Sequence, residues 1–397
     1  MQDYILVTLR NYQVAKAEKE RRATWLELFY DLVFAAAVAE IGVSLYSNYT
    51  TLSSFLGTVA LFFPVCWTWL GVTFYSARFE TDDYIHRILI LLQMAAAAAL
   101  ALSIHGALGE TSFNFAISYA AIRGLLVIEY LRAGNRVPAA RQFAKKYSKG
   151  FSISAIIWLI SAFVPAPERF ILWSIALGLD LAVTIFIGRK HLQLAPNIFY
   201  LPERMGLFTL IVLGETIFNL IHSLSGHKWD IGSTISMGAG LSIAFSLWWL
   251  YFDKIDGSVI RKFRDEAKSG LYITWLYTHF PLVVGLCATA AGISHLVSAD
   301  QGTFLPYLDE LLICGSVALC LFSIGVIHIC ISYASGETKS ISQLSVYRLI
   351  AGFAIILIPI LELQMLPVYL ILIVSTICII QILIDLKHHP HHRISNF

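Results

Sequence analysis

Ionisable side chains set inside long apolar stretches are the groups in this chain best placed to do chemistry. Each costs a few kcal/mol or more in hydrocarbon, at about +2.5 to +3.5 on insertion scales, unless it is paired or meets water. Glu27 and Asp31 stand four residues apart, so their carboxylates share one helix face. They fit a first-turn capping pair drawn to the positive helix end, and equally a role in gating or ion entry. Glu40 falls on roughly the opposite face, nearer the other end of the same stretch. Glu215 sits deeper, in Leu213-Gly-Glu215-Thr216, where Gly214 admits a neighbouring helix. A structural hydrogen bond is the plainer expectation for it, a titrating role the sharper one. Arg123, in Tyr119-Ala-Ala-Ile-Arg123-Gly124, is the one Lys or Arg well inside a stretch and calls for a carboxylate partner. Asp180 is the comparably deep acid, with Asp31 and Glu40 as the other choices. A fixed ion pair between helices is weighed here against anion coordination or proton relay. His279 and His105 are secondary candidates for proton relay or metal binding, although one hydrogen bond is the commoner fate of such a histidine. Arg78 opens the charged turn Arg78-Phe-Glu-Thr-Asp-Asp83, either a salt-bridged cap or a contact for the basic stretch 132–149. No metal centre is expected, and the run His388-His389-Pro-His391-His392 reads as a solvated tail.

The elements that must position these groups are membrane helices. Of 397 residues, 57% are apolar and 14% charged, against roughly a quarter charged in soluble domains. Spanning stretches of about twenty apolar residues are expected near 25–45, 56–76, 86–106, 113–133, 150–165, 168–188, 204–223, 233–253, 271–297, 307–332, 344–361 and 366–386. The fifth is the shortest, ending before Pro165 and Pro167. A barrel is not expected, since its strands alternate in short segments and these are long continuous apolar runs. With the N-terminus cytoplasmic, the positive-inside rule puts all but three of the 28 Lys and Arg residues on the cytoplasmic side. Twelve spans then leave both termini in the cytoplasm. No secretory signal precedes the first span. The six cysteines lie in apolar stretches without a CxxC pair and read as small core residues.

The chain also reads as two parallel six-helix repeats. Glu27-Leu-Phe-Tyr-Asp31 opens span 1, Glu203-Arg-Met-Gly-Leu207 opens span 7, and each span carries a second glutamate, Glu40 or Glu215. Trp67 and Trp69 before Tyr75 parallel Trp248 and Trp249 before Tyr251, and Lys190-His191 parallels Lys387-His388. The layout expected is a cytoplasmic segment 1–24, repeats over 25–190 and 191–388, and a His-rich tail 389–397. Halves inserted in the same sense commonly place a pathway at their interface.

Catalytic motifs are lacking: there is no Walker A loop, GxSxG, HExxH or GxGxxG after a strand. The chain therefore reads as a non-enzyme without a cofactor. Its partners are membrane lipids, met by the basic loops 132–149 and 254–268, and a small ion or solute, not nucleic acid; a homodimer is expected by analogy only.

Glu27-Leu-Phe-Tyr-Asp31-Leu-Val-Phe34, Arg78-Phe-Glu-Thr-Asp-Asp83, Glu203-Arg-Met-Gly-Leu-Phe208 through Leu213-Gly-Glu215, Trp248-Trp-Leu-Tyr-Phe252 and His279 together resemble the bacterial low temperature requirement A family. That resemblance implies a multi-pass membrane protein linked by name to growth in the cold, and it carries over no chemistry. Phe29-Tyr30-Asp31 is similar to the Phe-Ser-Asp signature of the lysosomal and prokaryotic transmembrane potassium channels, with Tyr30 in place of the serine and Leu207 where the aspartate would recur in helix 7. The expectation is an ion channel or secondary transporter of the plasma (inner) membrane with helices 1 and 7 central, and Glu27, Asp31, Glu40 and Glu215 along its pathway. The alternative is a non-transporting factor that binds or modifies lipid. A closed Arg123–Asp180 pair favours structure or transport; an Arg123 open to lipid phosphate favours the lipid role.

Overall fold

Long apolar runs must satisfy their backbone polar groups internally once they leave water, and a helix does this within one segment. A computed structural model describes residues 8–9, 22–48, 52–80, 83–189, 196–224, 231–255, 257–266, 269–336, 340–362 and 364–388. Among them thirteen α-helices follow in order. They are α1 (Trp25–Asn48), α2 (Leu52–Arg78), α3 (Tyr84–Leu102), α4 (Ser112–Arg136), α5 (Arg141–Ser161), α6 (Glu168–Arg189), α7 (Tyr200–Leu224), α8 (Ile231–Phe252), α9 (Ser258–Glu266), α10 (Ser269–Ser298), α11 (Tyr307–Ser335), α12 (Ser340–Ile360) and α13 (Pro367–His388). A two-residue antiparallel pairing joins Thr8–Leu9 to Phe79–Glu80.

Each of the twelve expected spans is a helix, and eleven helices among the described residues are long and apolar enough to cross a membrane. The count therefore falls one short, at α5. Arg141, Lys145, Lys146 and Lys149 occupy its first turns and leave only 150–161 free of charge. It also ends at Ser161 rather than 165. The second difference is α9, which folds within the stretch read as the basic loop 254–268. Its Val259, Ile260 and Phe263 are buried while Arg261 is exposed. The six cysteines are buried and free.

The chain divides into two compact units. The first takes residues up to 44, 51–204 and 260–269. Within it α4 packs against α2, α3 and α5, and α5 against α6. The α5–α6 pair is antiparallel. Tyr147 donates through its hydroxyl to the Thr184 carbonyl at 3.3 Å, Ser154 Oγ to that of Ala176 at 3.3 Å, and Trp173 Nε1 to Ser161 Oγ at 2.9 Å. Stacked rings of Tyr119, Trp158 and Trp173, with centroids 4.0 and 4.9 Å apart, fill the seam between α4, α5 and α6. The second unit takes 45–50, 205–259 and 270–397. In it α11 packs against α12 and α8, and α13 against α8 and α12. Gly292 of α10 lets the backbones meet, since a Cβ there would stand 3.1 Å from Ile313 Cα. Along α13, Leu370, Ile371, Val374 and Cys378 face inward, while Leu372, Ile373, Ile380 and Leu383 stay exposed. Lipid tails suit that second face, as water does not.

Candidate functional site

The first cluster begins with a helix cap. Glu27 donates its backbone N–H to Thr24 Oγ1 at 3.3 Å, and Glu27 Oε2 accepts from the Thr24 N–H at 2.7 Å. This reciprocal capping box satisfies two donors that α1 leaves open at its start. Glu27 Oε1 also accepts from the Tyr200 hydroxyl at 2.8 Å, and Glu203 Oε1 from the Ala23 N–H at 3.4 Å. One turn further on, Asp31 Oδ1 accepts from Trp69 Nε1 at 2.7 Å and pairs with Arg204 Nη2 at 2.7 Å. The guanidinium lies over the Trp69 and Tyr200 rings at 6.0 and 5.9 Å. Asp31 and Arg204 are completely enclosed, at 0% and 1% exposure. Yet Asp31 Oδ2 and Arg204 Nε and Nη1 find no hydrogen-bond partner among the described residues.

The second cluster answers the question of the Arg123 partner. Arg123 Nε stands 3.1 Å from Asp180 Oδ2, and Tyr119 bridges them. The tyrosine hydroxyl accepts from Arg123 Nη2 at 3.0 Å and donates to Asp180 Oδ2 at 3.0 Å. Arg123 Nη2 also donates to the Trp67 carbonyl at 3.3 Å. Trp67 and Gly71 lie one turn apart on α2, and Trp69 between them points to the opposite side, so the two ion pairs flank opposite faces of that helix. Gly71 supplies the room for Arg123: a Cβ there would stand 2.6 Å from Nη1 and 3.1 Å from Leu126 Cδ2. Because Asp180, Tyr119 and the Trp67 carbonyl pin the guanidinium, it cannot simply swing away. Gly71→Ala is expected to lower stability by about 1–3 kcal/mol, the usual cost of overpacking a filled interior. The check is the thermal unfolding midpoint of the detergent-solubilised protein, and an unchanged midpoint would show that the guanidinium is free to move.

Two further clusters escape the sequence reading. On α4, Glu129 is fully buried; its Oε1 lies 2.9 Å from His86 Nδ1, and its Oε2 accepts from Gln93 Nε2 at 3.1 Å. Asp83 caps α3 by accepting from the His86 N–H at 2.9 Å and pairs with Arg132. In the second unit, Arg348 of α12 donates from Nη2 to Asp385 Oδ2 at 2.6 Å and from Nη1 to His328 Nδ1 at 2.5 Å. The second unit thus buries an arginine–aspartate pair on α12 and α13, as the first does on α4 and α6 and again at Asp31 and Arg204.

The remaining sequence candidates separate. Glu40 pairs with His105 at 3.2 Å, and both are partly exposed, at 42% and 44%. Arg78 donates to the Phe74 carbonyl at 2.9 Å and sits over the Phe74, Phe143 and Tyr147 rings, so the charged turn meets the stretch 132–149 through both Arg78 and Asp83. His279 is buried, with Nδ1 2.8 Å from the Trp275 carbonyl of its own helix. The hydrogen bond expected from Glu215 to a neighbouring helix is not found among the described residues. Nor does Gly214 admit a helix: nothing lies within 4 Å of where its Cβ would be. Glu215 is instead a half-buried carboxylate on α7. The tail residues from His389 onward lie outside the described residues.

Apolar helices that enclose arginine–carboxylate pairs define a multi-pass membrane protein with its charges turned into the bundle. Residues 22–379 match the family model for the bacterial low temperature requirement A protein, and the chain belongs to that family. Among curated proteins it is similar to an uncharacterized protein of Rhizobium meliloti (strain 1021), 26% identical over 286 residues that make up 69% of each chain. No solved structure matches.

Proposed function

We propose that this protein is a secondary transporter of a small ion or solute in the bacterial plasma membrane, and that the Asp31–Arg204 pair is the latch that closes α1 onto the first turns of α7. The observation that carries this reading is the incomplete pairing of two enclosed charges. Burying an ion pair costs several kcal/mol per ion, and only good geometry with every remaining lone pair and proton satisfied offsets it. Here one carboxylate oxygen and two guanidinium nitrogens are left over. Arg123 Nη1 and Asp180 Oδ1 are left over as well, but there a tyrosine hydroxyl bonds both charges and fixes them to each other; a pair that exchanges partners as the protein opens needs remainders it can use. Enclosure of Asp31 also supports a carrier over an open pore, so the likeness to Phe-Ser-Asp channels is not part of the proposal. Enclosure of Arg123 beside Asp180 leaves it no access to lipid phosphate, which counts against the lipid-binding alternative. Glu215, half-buried and without a hydrogen bond among the described residues, is the candidate cation ligand on α7.

In this reading α5 serves as a twelfth span, because it runs antiparallel along the spanning helix α6. Twelve spans in two parallel repeats return both termini to the cytoplasm. The test is flux of potassium, sodium, protons and chloride into liposomes holding the purified protein. Saturable flux that Asp31→Asn and Glu215→Gln each reduce about tenfold or more, roughly 1.4 kcal/mol in barrier, is the expected result. Non-saturating flux would return the channel. No flux of any of the four from correctly inserted protein would turn the reading toward an organic solute or a lipid-directed role.

A further inference from the structure

We infer that His86 and Glu129 form a proton-binding couple inside the first unit, and that transport by this protein is coupled to the proton it carries; the second clause rests on the transport reading above. The geometry is that of two bases held around one proton. Glu129 is fully buried, and both its oxygens are engaged by groups without a fixed charge, His86 Nδ1 at 2.9 Å and Gln93 Nε2 at 3.1 Å. The other two carboxylates of this unit at 0% exposure among the described residues, Asp31 and Asp180, each face an arginine, which holds a permanent positive charge. Glu129 faces imidazole, which can hold or release a proton where a guanidinium cannot. With one proton between them the couple has no net charge, and in a fully buried place that proton rests on Glu129, as carboxylic acid beside neutral imidazole. With none it is left with one negative charge in a fully buried place, a state that opening of the site to water would favour. The couple therefore takes up one proton from water on one side and gives up one proton on the other.

The surroundings fit a guarded site. From α3, Gln93 holds the second oxygen of Glu129, and at the start of α3 Asp83 accepts from the His86 N–H while pairing with Arg132 of α4. The Tyr75 ring of α2 lies 6.4 Å from the His86 ring, centroid to centroid. Tyr130 of α4 and Tyr30 of α1 lie within Coulombic reach of Glu129. Arg78 of α2 and Tyr147 of α5 in turn lie within reach of Tyr130. Arg123, six positions before Glu129 on α4, is committed to Asp180. Each arginine near the couple is thus occupied by another partner or by aromatic rings. A couple meant only as a lock would be better served by one of them.

The test is infrared spectroscopy of the lipid-reconstituted protein titrated from about pH 9 to about pH 5, a window that brackets imidazole and buried carboxyl titration. The expected result is a carboxylic acid carbonyl band that grows as pH falls and is lost in Glu129→Gln, together with solute flux that depends on pH in the native protein and not in Glu129→Gln. If Glu129→Gln does not fold, His86→Gln serves. It keeps a hydrogen-bonding side chain, removes the second base, and should displace the band's midpoint by at least about one pH unit, a factor of ten in proton affinity. A spectrum without a titrating band from Glu129, or a band indifferent to His86→Gln, overturns the couple. A titrating band in protein that moves no solute would keep the proton site and remove the transport reading. Flux that ignores pH, beside a normal band, would remove the coupling alone.

Discussion

Asp180→Ala is expected to cost about 3–5 kcal/mol, the penalty for leaving one member of a buried ion pair without its partner, and on that scale most of the protein should fail to reach the folded state. The loss comes from Arg123. Its side chain is fully enclosed, its Nε and Nη2 are oriented by Asp180, Tyr119 and the Trp67 carbonyl, and its Nη1 fills the space that Gly71 leaves open. Removal of Asp180 also deprives the Tyr119 hydroxyl of its acceptor. The double variant Arg123→Met, Asp180→Leu should recover most of the lost stability, since apolar side chains of similar volume often replace a buried pair at no cost or with a gain of about 1–4 kcal/mol. Monodisperse protein on size-exclusion chromatography, followed through a temperature ramp, reads all three proteins. A stable Asp180→Ala single variant would mean that water reaches Arg123 and that the pair does not lock α4 to α6.

The same substitutions at the first cluster should separate folding from work. Arg204→Ala leaves Asp31 enclosed with Trp69 Nε1 as its one hydrogen-bond donor among the described residues and is expected to be destabilised on a similar scale of about 3–5 kcal/mol. Asp31→Leu, Arg204→Met fills the space without charge and should fold as well as the native protein or better. If the pair is a latch, that variant is held permanently in one state and transports about tenfold less or worse, a barrier change of about 1.4 kcal/mol. Recovery of stability without recovery of flux is the signature expected here. It is not expected at Arg123–Asp180, where the doubly apolar variant should recover both.

Much of the helical frame was legible in the sequence because long apolar runs admit no other satisfied backbone in a membrane. The one ambiguous element, α5, is ambiguous for a physical reason: four basic side chains crowd its first turns, so its place beside α6 follows from packing rather than from hydropathy. Arg123 and Asp180 could be paired on paper because each is a lone charge deep in an apolar stretch. Arg204 and Arg348 were missed because a count of loop charges treats basic residues near span ends as exposed. In the structure α7 begins at Tyr200 and α12 at Ser340, so both arginines fall inside helices, within reach of Asp31 and Asp385. Glu129 carries the same signal as Arg123, an ionisable group in an apolar run, but it stands three residues before Arg132, where a charge reads as part of the span end. The capping role of Glu27 was readable from Thr24-x-x-Glu27, while Tyr200 as its second partner, 173 residues away, was not.

Liposomes that differ only in holding the native protein or Asp31→Leu, Arg204→Met, matched in amount and orientation, test the central claim most directly, with uptake of a labelled ion or solute followed from the first seconds after a gradient is imposed. The account predicts saturable uptake by the native protein and uptake near that of empty liposomes for the folded double variant. Equal uptake by the two would show that the enclosed pair is a structural contact and that Asp31 and Arg204 have no part in moving solute across the membrane.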